Sequence, residues 1–351
     1  MTLKFLSPTS ALFAQMVNLR PGERVLLLHA DDGALARWAV QTAGKAVLAF
    51  PPSYRTFNAL SQVSGLEVSE SVYPDSSQHG PADIVLLNIP KGREHAQAYI
   101  WTAAETLRPG GRLYLAGPND GGAKTAIKDA ALVFGKAPTL GYKSSHRIAI
   151  ATRPEQLTLP EGWSTSWQSQ TRLFSRPEGD FTIVTMPGVF SWDHLDDGTA
   201  LMLDHLDIEP KSKVLDIGCG YGIIGLAAAR AGAHVTMVDD DLLAVRCARA
   251  SAEINQIPCM VLPSDVTSAV SDQRYDLVLS NPPFHYGMEI NTALAQRIVR
   301  DAFGVLRRGG KLRVVANRFL TYDHAMRDTF GNVRTLADNR RYRILEAVRT
   351  T

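Results

Sequence analysis

The chain alternates two hydrophobic rhythms. Short apolar runs bounded by Gly, Pro, Asp or Asn read as buried strands, and longer stretches with apolar residues at helical spacing read as the helices between them. The segment LRPGERVLLLHADDGALARWA (19–39) shows both: a polar turn, the run VLLL, a second turn at Asp31-Asp32-Gly33, then helix-spaced Ala and Leu. Strands alternating with helices in this way predict a doubly wound, mostly parallel sheet built from βαβ units.

The pattern is written twice. LRPGERVLLLHADDGALARWA resembles IEPKSKVLDIGCGYGIIGLAA (208–228), with Val25 falling on Val214 and Gly33 on Gly222. ADIVLLNIP (82–90) resembles YDLVLSNPP (275–283), with Asn88 on Asn281, and LRPGGRLYLAG (107–117) resembles LRRGGKLRVVA (306–316). FGKAPTLGYKSSHRIAIA (134–151) resembles FGNVRTLADNRRYRILEA (330–347), and after each Gly-Gly turn two strands are expected to close one edge as an antiparallel hairpin. Ordered matches along the whole length mean a duplicated domain. The expected organisation is a first domain over 1–150, a linker with a short strand or hairpin over 151–185, and a second domain over 186–351. Both domains should be Rossmann-like.

Composition narrows the classes. At 351 residues, with 45% hydrophobic and 21% charged residues, the chain can bury two ordinary cores. A net charge of +2 gives no global field toward nucleic acid; the residues up to 175 carry 17 basic and 13 acidic side chains, and the rest 20 and 22, so an RNA contact on the first half is allowed rather than demanded. Three cysteines, Cys219, Cys247 and Cys259, form neither a disulfide framework nor a zinc pattern, and no apolar run approaches the ~20 residues of a membrane span. A reduced, cytoplasmic, monomeric protein without metal is expected.

The chemistry sits in the second copy. In VLDIGCGYGIIG (214–225) a strand runs into a turn at Gly218, Gly220 and Gly222 and then into a helix, so the backbone can approach a ligand and the helix N-terminus offers free N–H groups. Asp239 follows about 20 residues on, suited to ribose hydroxyls. This much fits NAD or S-adenosylmethionine equally. SNPPFHYG (280–287) separates them, because an NAD enzyme has no use for a stiff Asn-Pro-Pro-Phe after its fourth strand. A methyltransferase acting on an exocyclic amine does. Such a nitrogen is flat and weakly nucleophilic, and two fixed acceptors, the Asn281 side-chain oxygen and the Pro282 carbonyl, could each take one N–H and aim the lone pair at an electrophilic methyl. Phe284 offers a face for stacking the base.

On these residues the second half resembles class I S-adenosylmethionine-dependent methyltransferases. The whole chain, with its duplicated first half, its lead-in MPGVFSWDHLDDGTALML (186–203) and its NPPFH loop, resembles the family of small-subunit ribosomal RNA guanine-N2 methyltransferases C. The resemblance implies methyl transfer to guanine N2 in small-subunit rRNA, with ribosomal RNA or the small subunit as partner. It implies that Asp216 and the Gly218–Gly222 loop hold the methionine part of the cofactor, that Asp239 holds its ribose and that Asp265 lies near its adenine. Asn281, Pro282 and Phe284 would form the base pocket. The alternatives are a large-subunit guanine-N2 methyltransferase and a non-catalytic RNA-binding assembly factor that keeps the fold.

Other residues carry blander expectations. Cys219 is a small side chain that fits the turn, and Asp239-Asp240-Asp241 is a solvated strand end rather than a metal site. His285 lies beside the pocket with no base role required. Arg307, Arg308, Lys311, Arg313, Arg318, Arg340, Arg341 and Arg343 make the C-terminal part basic, some of them as solvated faces and part of the set as candidates for phosphate contact. In the first copy His29-Ala30-Asp31 replaces Gly218-Cys219-Gly220, which should block a cofactor, so residues 1–150 are expected to serve as scaffold and RNA-positioning surface.

Overall fold

The computed structural model describes residues 7–44, 46–163, 170–176, 179–282, 288–317 and 322–351. The chain divides into two compact units, Met1–Gln168 and Ser169–Thr351.

The first unit carries β1 (Val25–Leu28), β2 (Val47–Phe50), β3 (Glu67–Val68), β4 (Ala82–Asn88), β5 (Leu107–Pro118), β6 (Thr139–Lys143) and β7 (His146–Thr152). Among the described residues they form one sheet in the order β3-β2-β1-β4-β5-β7-β6. The strands from β3 to β5 are parallel, and β7 and β6 close the edge antiparallel. Every residue of β1 and β2 is buried, as expected of parallel strands covered on both faces. The helix Gly33–Ala43 starts where the Asp32 carboxylate accepts the Ala34 N–H at 2.8 Å, and stops at Gly44, whose φ of +87° no helix continues.

The second unit opens with an antiparallel hairpin, β8 (Gln170–Phe174) and β9 (Phe181–Thr185). β9 lies along the helix Leu242–Ile254, whose side chains replace a neighbouring strand. Ser251 Oγ accepts the Val184 N–H at 2.9 Å, and the Asn255 amide accepts from Thr182 N–H at 3.0 Å and donates to Thr182 O at 2.6 Å. The second sheet is made of β10 (Lys213–Ile217), β11 (His234–Asp239), β12 (Met260–Pro263), β13 (Tyr275–Ser280), β14 (Leu306–Asn317), β15 (Arg334–Asp338) and β16 (Tyr342–Val348). Its order, β12-β11-β10-β13-β14-β16-β15, repeats that of the first. Both sheets are mostly parallel with an antiparallel edge, the expected doubly wound architecture.

Leu215, Val278, Leu312 and Val314 are fully buried at the centre of this sheet. Gly225 seats the helix Ile223–Arg230 against it, since a Cβ there would lie 2.4 Å from Met237 Sδ. One member of the basic set does not reach the surface, on β14. Arg313 is not part of a basic surface: the register sets it opposite Glu346, and the two side chains form a buried pair at 2.7 Å. A phosphate-seeking arginine needs solvent, and this one is 3% exposed. Its guanidinium also donates to the carbonyl oxygens of Leu206 and, at 3.3 Å, His205. Arg307 is likewise engaged, with Asp276, and Arg318 lies outside the described residues.

The chain runs outward from β10 to β12 and then returns to β13 on the other side of β10. The carboxyl ends of β10 and β13 therefore flank the point where strand order reverses, the usual ligand crevice of such sheets. Ile217 pairs with Ser280, whose hydroxyl donates to the Ile217 carbonyl at 2.8 Å, so Gly218 and Asn281 emerge side by side.

Candidate functional site

The three turn glycines have two jobs. Gly218, Gly220 and Gly222 all have positive φ, at +71°, +57° and +92°. A Cβ on Gly222 would press on Ala248 at 3.1 Å, so this glycine serves packing. On Gly218 or Gly220 a Cβ would meet nothing within 4 Å. Backbone that is bare and faces open space can admit a ligand closely.

Acidic groups line the turn. Asp216 is completely buried; its Oδ2 accepts the Gly225 N–H at 3.0 Å, while its Oδ1 has no hydrogen-bond partner. Burial above all pushes this carboxyl up to about 7, with Asp239 adding to the rise. Asp239 braces the turn, taking the Gly220 N–H on Oδ2 at 2.8 Å and the Asp241 N–H on Oδ1 at 2.9 Å. Burial raises it to about 6. Asp241 caps the helix Leu242–Ile254 through Leu243 N–H at 2.8 Å, and burial raises it to about 7. A buried carboxylate oxygen left unpaired beside a raised, crowded set of acids suits a ligand that brings positive charge. Cys219 beside them is no thiolate, because burial holds its thiol well above the usual range.

Asn281 faces this turn from the end of β13. Its Nδ2 donates to Thr199 Oγ1 at 2.7 Å and to Asp196 Oδ2 at 3.1 Å, and its Oδ1 is buried without a partner. Turned over, the amide would set its oxygen against the Asp196 carboxylate, so the orientation is dictated electrostatically. The open acceptor required for an amine N–H is thus present. Pro282 follows it and is buried; Phe284 and His285 lie outside the described residues.

Residues 180–346 match the family model of the methyltransferase small domain, and residues 10–137 that of its N-terminal domain. A protein of Shewanella amazonensis named ribosomal RNA small subunit methyltransferase C is 32% identical over 342 residues, spanning 97% of this chain and 98% of its own. The chain belongs to the ribosomal RNA small subunit methyltransferase C family. A Cronobacter sakazakii member is 32% identical over 348 residues, covering 95% of this chain and 98% of its own. The solved 16S rRNA N2 methyltransferase of T. thermophilus, in complex with AdoMet and guanosine, is 30% identical, covers 98% of this chain and 92% of its own, and superposes with a TM-score of 0.85.

Within this methyltransferase frame the structure gathers Asp216, Gly218, Gly220, Gly222, Asp239 and Asn281 around one crevice. Asp265 follows β12; its carboxylate pairs with Arg297 at 2.8 Å and its N–H donates to Ser268 Oγ at 3.1 Å. Among the described residues no group of three metal-ligating side chains gathers, and no helix is long and apolar enough to cross a membrane. Nothing in the sequence of the 186–203 segment assigns a role in the site to its side chains, yet Asp196 and Thr199 from it hold Asn281. The Asp-x-x-Thr helix start was visible as a cap signature. Its reach across 85 residues was not.

Proposed function

We propose that this protein transfers a methyl group from S-adenosylmethionine to the exocyclic N2 amine of a guanine in small-subunit ribosomal RNA. Residues 186–351 carry the chemistry. Residues 1–150 serve as scaffold and RNA-positioning surface, with 151–185 between them, and the reaction belongs to the cytoplasm. The observation that carries the reading is Asn281: an amide whose donor end is tied down and whose acceptor end is buried and free, beside a glycine turn with room for a ligand.

The residues fit the cofactor. Gly218 and Gly220 admit it to the backbone, Asp216 Oδ1 offers an acceptor to its ammonium group, and Asp239 stands at the end of β11 toward its ribose. When bound, the cofactor supplies an electrophilic methyl on a sulfonium. Asn281 Oδ1 and the Pro282 carbonyl accept the two amine hydrogens, which favours a pyramidal nitrogen and directs its lone pair out of the ring plane. Phe284 stacks on the base. After transfer the nitrogen is cationic and acidic, and it releases its proton to water. That the relative was solved with AdoMet and guanosine supports this pairing of cofactor and base. The test is to compare rRNA from cells lacking and regaining the protein, mapping methylated guanines. One N2-methylguanine that vanishes and returns supports the reading, and an unchanged small-subunit map refutes it.

A further inference from the structure

We propose that Asp196 and Thr199 are positioning residues for methyl transfer, holding the Asn281 amide with its oxygen toward the target amine. The inference rests on the function proposed above and adds two residues to it. An amide presents an acceptor in only one of its two orientations, and these differ by a half-turn that leaves shape unchanged. Packing alone cannot choose between them. Charge can.

Asp196 Oδ2 and Thr199 Oγ1 both receive Asn281 Nδ2, at 3.1 and 2.7 Å. Thr199 Oγ1 also lies 3.5 Å from Asp196 Oδ2, so its hydrogen can turn to the carboxylate and leave a lone pair for the amide. Drawing on the amide N–H groups with a carboxylate also enriches the amide oxygen in electron density, making Oδ1 a stronger acceptor. Asp196 is 8% exposed and Thr199 6%, so water competes little for these contacts.

The mount is rigid. Asp196 caps the helix Asp197–Leu203, accepting the Thr199 N–H at 2.9 Å. Gly198 fits against β14 with no room for a side chain, since a Cβ would lie 2.8 Å from Val315 Cγ1. Beyond the helix, buried Arg313 takes the carbonyl oxygens of His205 and Leu206. Both ends of the segment are thus seated on the sheet that carries Asn281.

The duplication supplies an internal comparison. With Val25 set on Val214, Ser7 stands at the position of Asp196 and Ser10 at that of Thr199. Ser7 caps its helix through Ser10 N–H at 3.2 Å, so the cap itself needs no carboxylate. Asn88, at the position of Asn281, lies beside the Asp31 carboxyl. The acid at the helix start occurs in the unit that keeps the open glycine turn, and there it serves the asparagine.

Three variants test this. Asp196→Ser imports the first unit's cap, Thr199→Val removes the acceptor while keeping the branched shape, and Thr199→Ser restores it. Asp196→Ser and Thr199→Val are expected to lower single-turnover methyl transfer about tenfold or more, with rRNA KM, cofactor affinity and Tm close to wild type; Thr199→Ser should stay within about threefold. Selective 15N-asparagine labelling gives a second readout, in which the Asn281 side-chain amide resonances of the intact protein move in Asp196→Ser and Thr199→Val and return in Thr199→Ser. Full transfer by the first two variants, or a loss in Thr199→Ser equal to that in Thr199→Val, overturns the inference. An inactive wild-type protein would defeat the proposed function instead, and the amide resonances would still decide whether Asp196 and Thr199 hold Asn281.

Discussion

Cofactor binding should tighten as pH rises toward 7, because Asp216 must ionise to receive it. In the ligand-free protein its carboxyl is fully buried, half satisfied, and raised from 3.8 to about 7. A folded-state value above the unfolded one means the folded protein holds this proton more tightly, so the contribution of Asp216 to ligand-free stability is fully present in acid and is lost as pH rises from about 4 to about 7. A bound ammonium reverses that preference by stabilising the ionised form. The α-amino group has an ordinary value near 8, so the ligand stays cationic throughout the window. With a free-protein value of about 7, the ionised fraction falls from about one half at pH 7.0 to about 3% at pH 5.5, which weakens binding about fifteenfold, or about 1.6 kcal/mol. Asp239 and Asp241, raised to about 6 and 7, push the same way. Titration calorimetry at pH 5.5, 6.2 and 7.0, in two buffers of different ionisation enthalpy, measures both the affinity and the protons released. Asp216→Asn should bind more weakly at pH 7.0 and show a shallower slope, the remainder coming from Asp239 and Asp241. An affinity constant within threefold across this range, or a slope unchanged in Asp216→Asn, would refute the assignment of Asp216 Oδ1 to the ligand's cation.

Asn281→Ala should cost methyl transfer roughly 2–4 kcal/mol in kcat/KM while leaving cofactor affinity nearly intact, since it removes a preorganised acceptor for the base; activity within a few-fold of wild type in single-turnover assays would show that the acceptor is dispensable. Gly220→Ala places a Cβ at φ +57°, a backbone strain of about 1–2 kcal/mol that lowers ligand-free Tm modestly, whereas calorimetry should find cofactor affinity down more than tenfold because the new methyl points into the open turn. Calorimetry on the wild-type chain should give one cofactor per chain; two would mean that the first unit's His29-Ala30-Asp31 turn still binds. Acid should weaken the first unit: burial lowers His29 to about 4 and His95 to about 3, so the unfolded chain gains protons first as pH falls below 6.5, at about 2 kcal/mol for each histidine by pH 5. Hydrogen exchange of first-unit peptides, corrected for intrinsic rates, checks this, and equal protection at pH 7.5 and 5 in that unit contradicts it.

The fold was legible because it is local and repeated. Apolar runs such as Val25–Leu28 are buried on both faces, which needs only a sequence window to see, and the second copy repeats the same punctuation. The Gly218–Gly222 turn and Asn281 were legible for the same reason, each being a short motif at a strand end. Contacts between distant segments were not. Arg313 sits in a run of arginines and lysine that looks like surface, and only the β14–β16 register reveals Glu346 opposite it. Asp239 was expected to face a ligand, yet both of its oxygens also hold the turn's own backbone, a contact set by how the strand end approaches Gly220. Asp196 and Thr199 looked like an ordinary helix start because nothing along the chain says which strand the helix will lie against.

The two copies together show what a binding site costs a fold. In the first unit His29 stands where Gly218 stands in the second, and it keeps the left-handed turn, at φ +51° against +71°. The same backbone turn is made without the glycine. Its surface has been turned inward: the His29 ring packs edge-on against His95 at 5.9 Å and Tyr99 at 5.6 Å, and Tyr99 packs on Tyr73 at 4.6 Å. Rings that pack on one another contribute to stability without a ligand. The second unit keeps bare glycines and a buried carboxylate oxygen with no partner, both of which weaken the ligand-free state. Such features persist in a fold only where something else repays them, and on the function proposed above the repayment is the ligand of the open turn. The difference between two units of identical strand order, a bare glycine in one where a packed ring stands in the other, is therefore itself an argument that the second one binds.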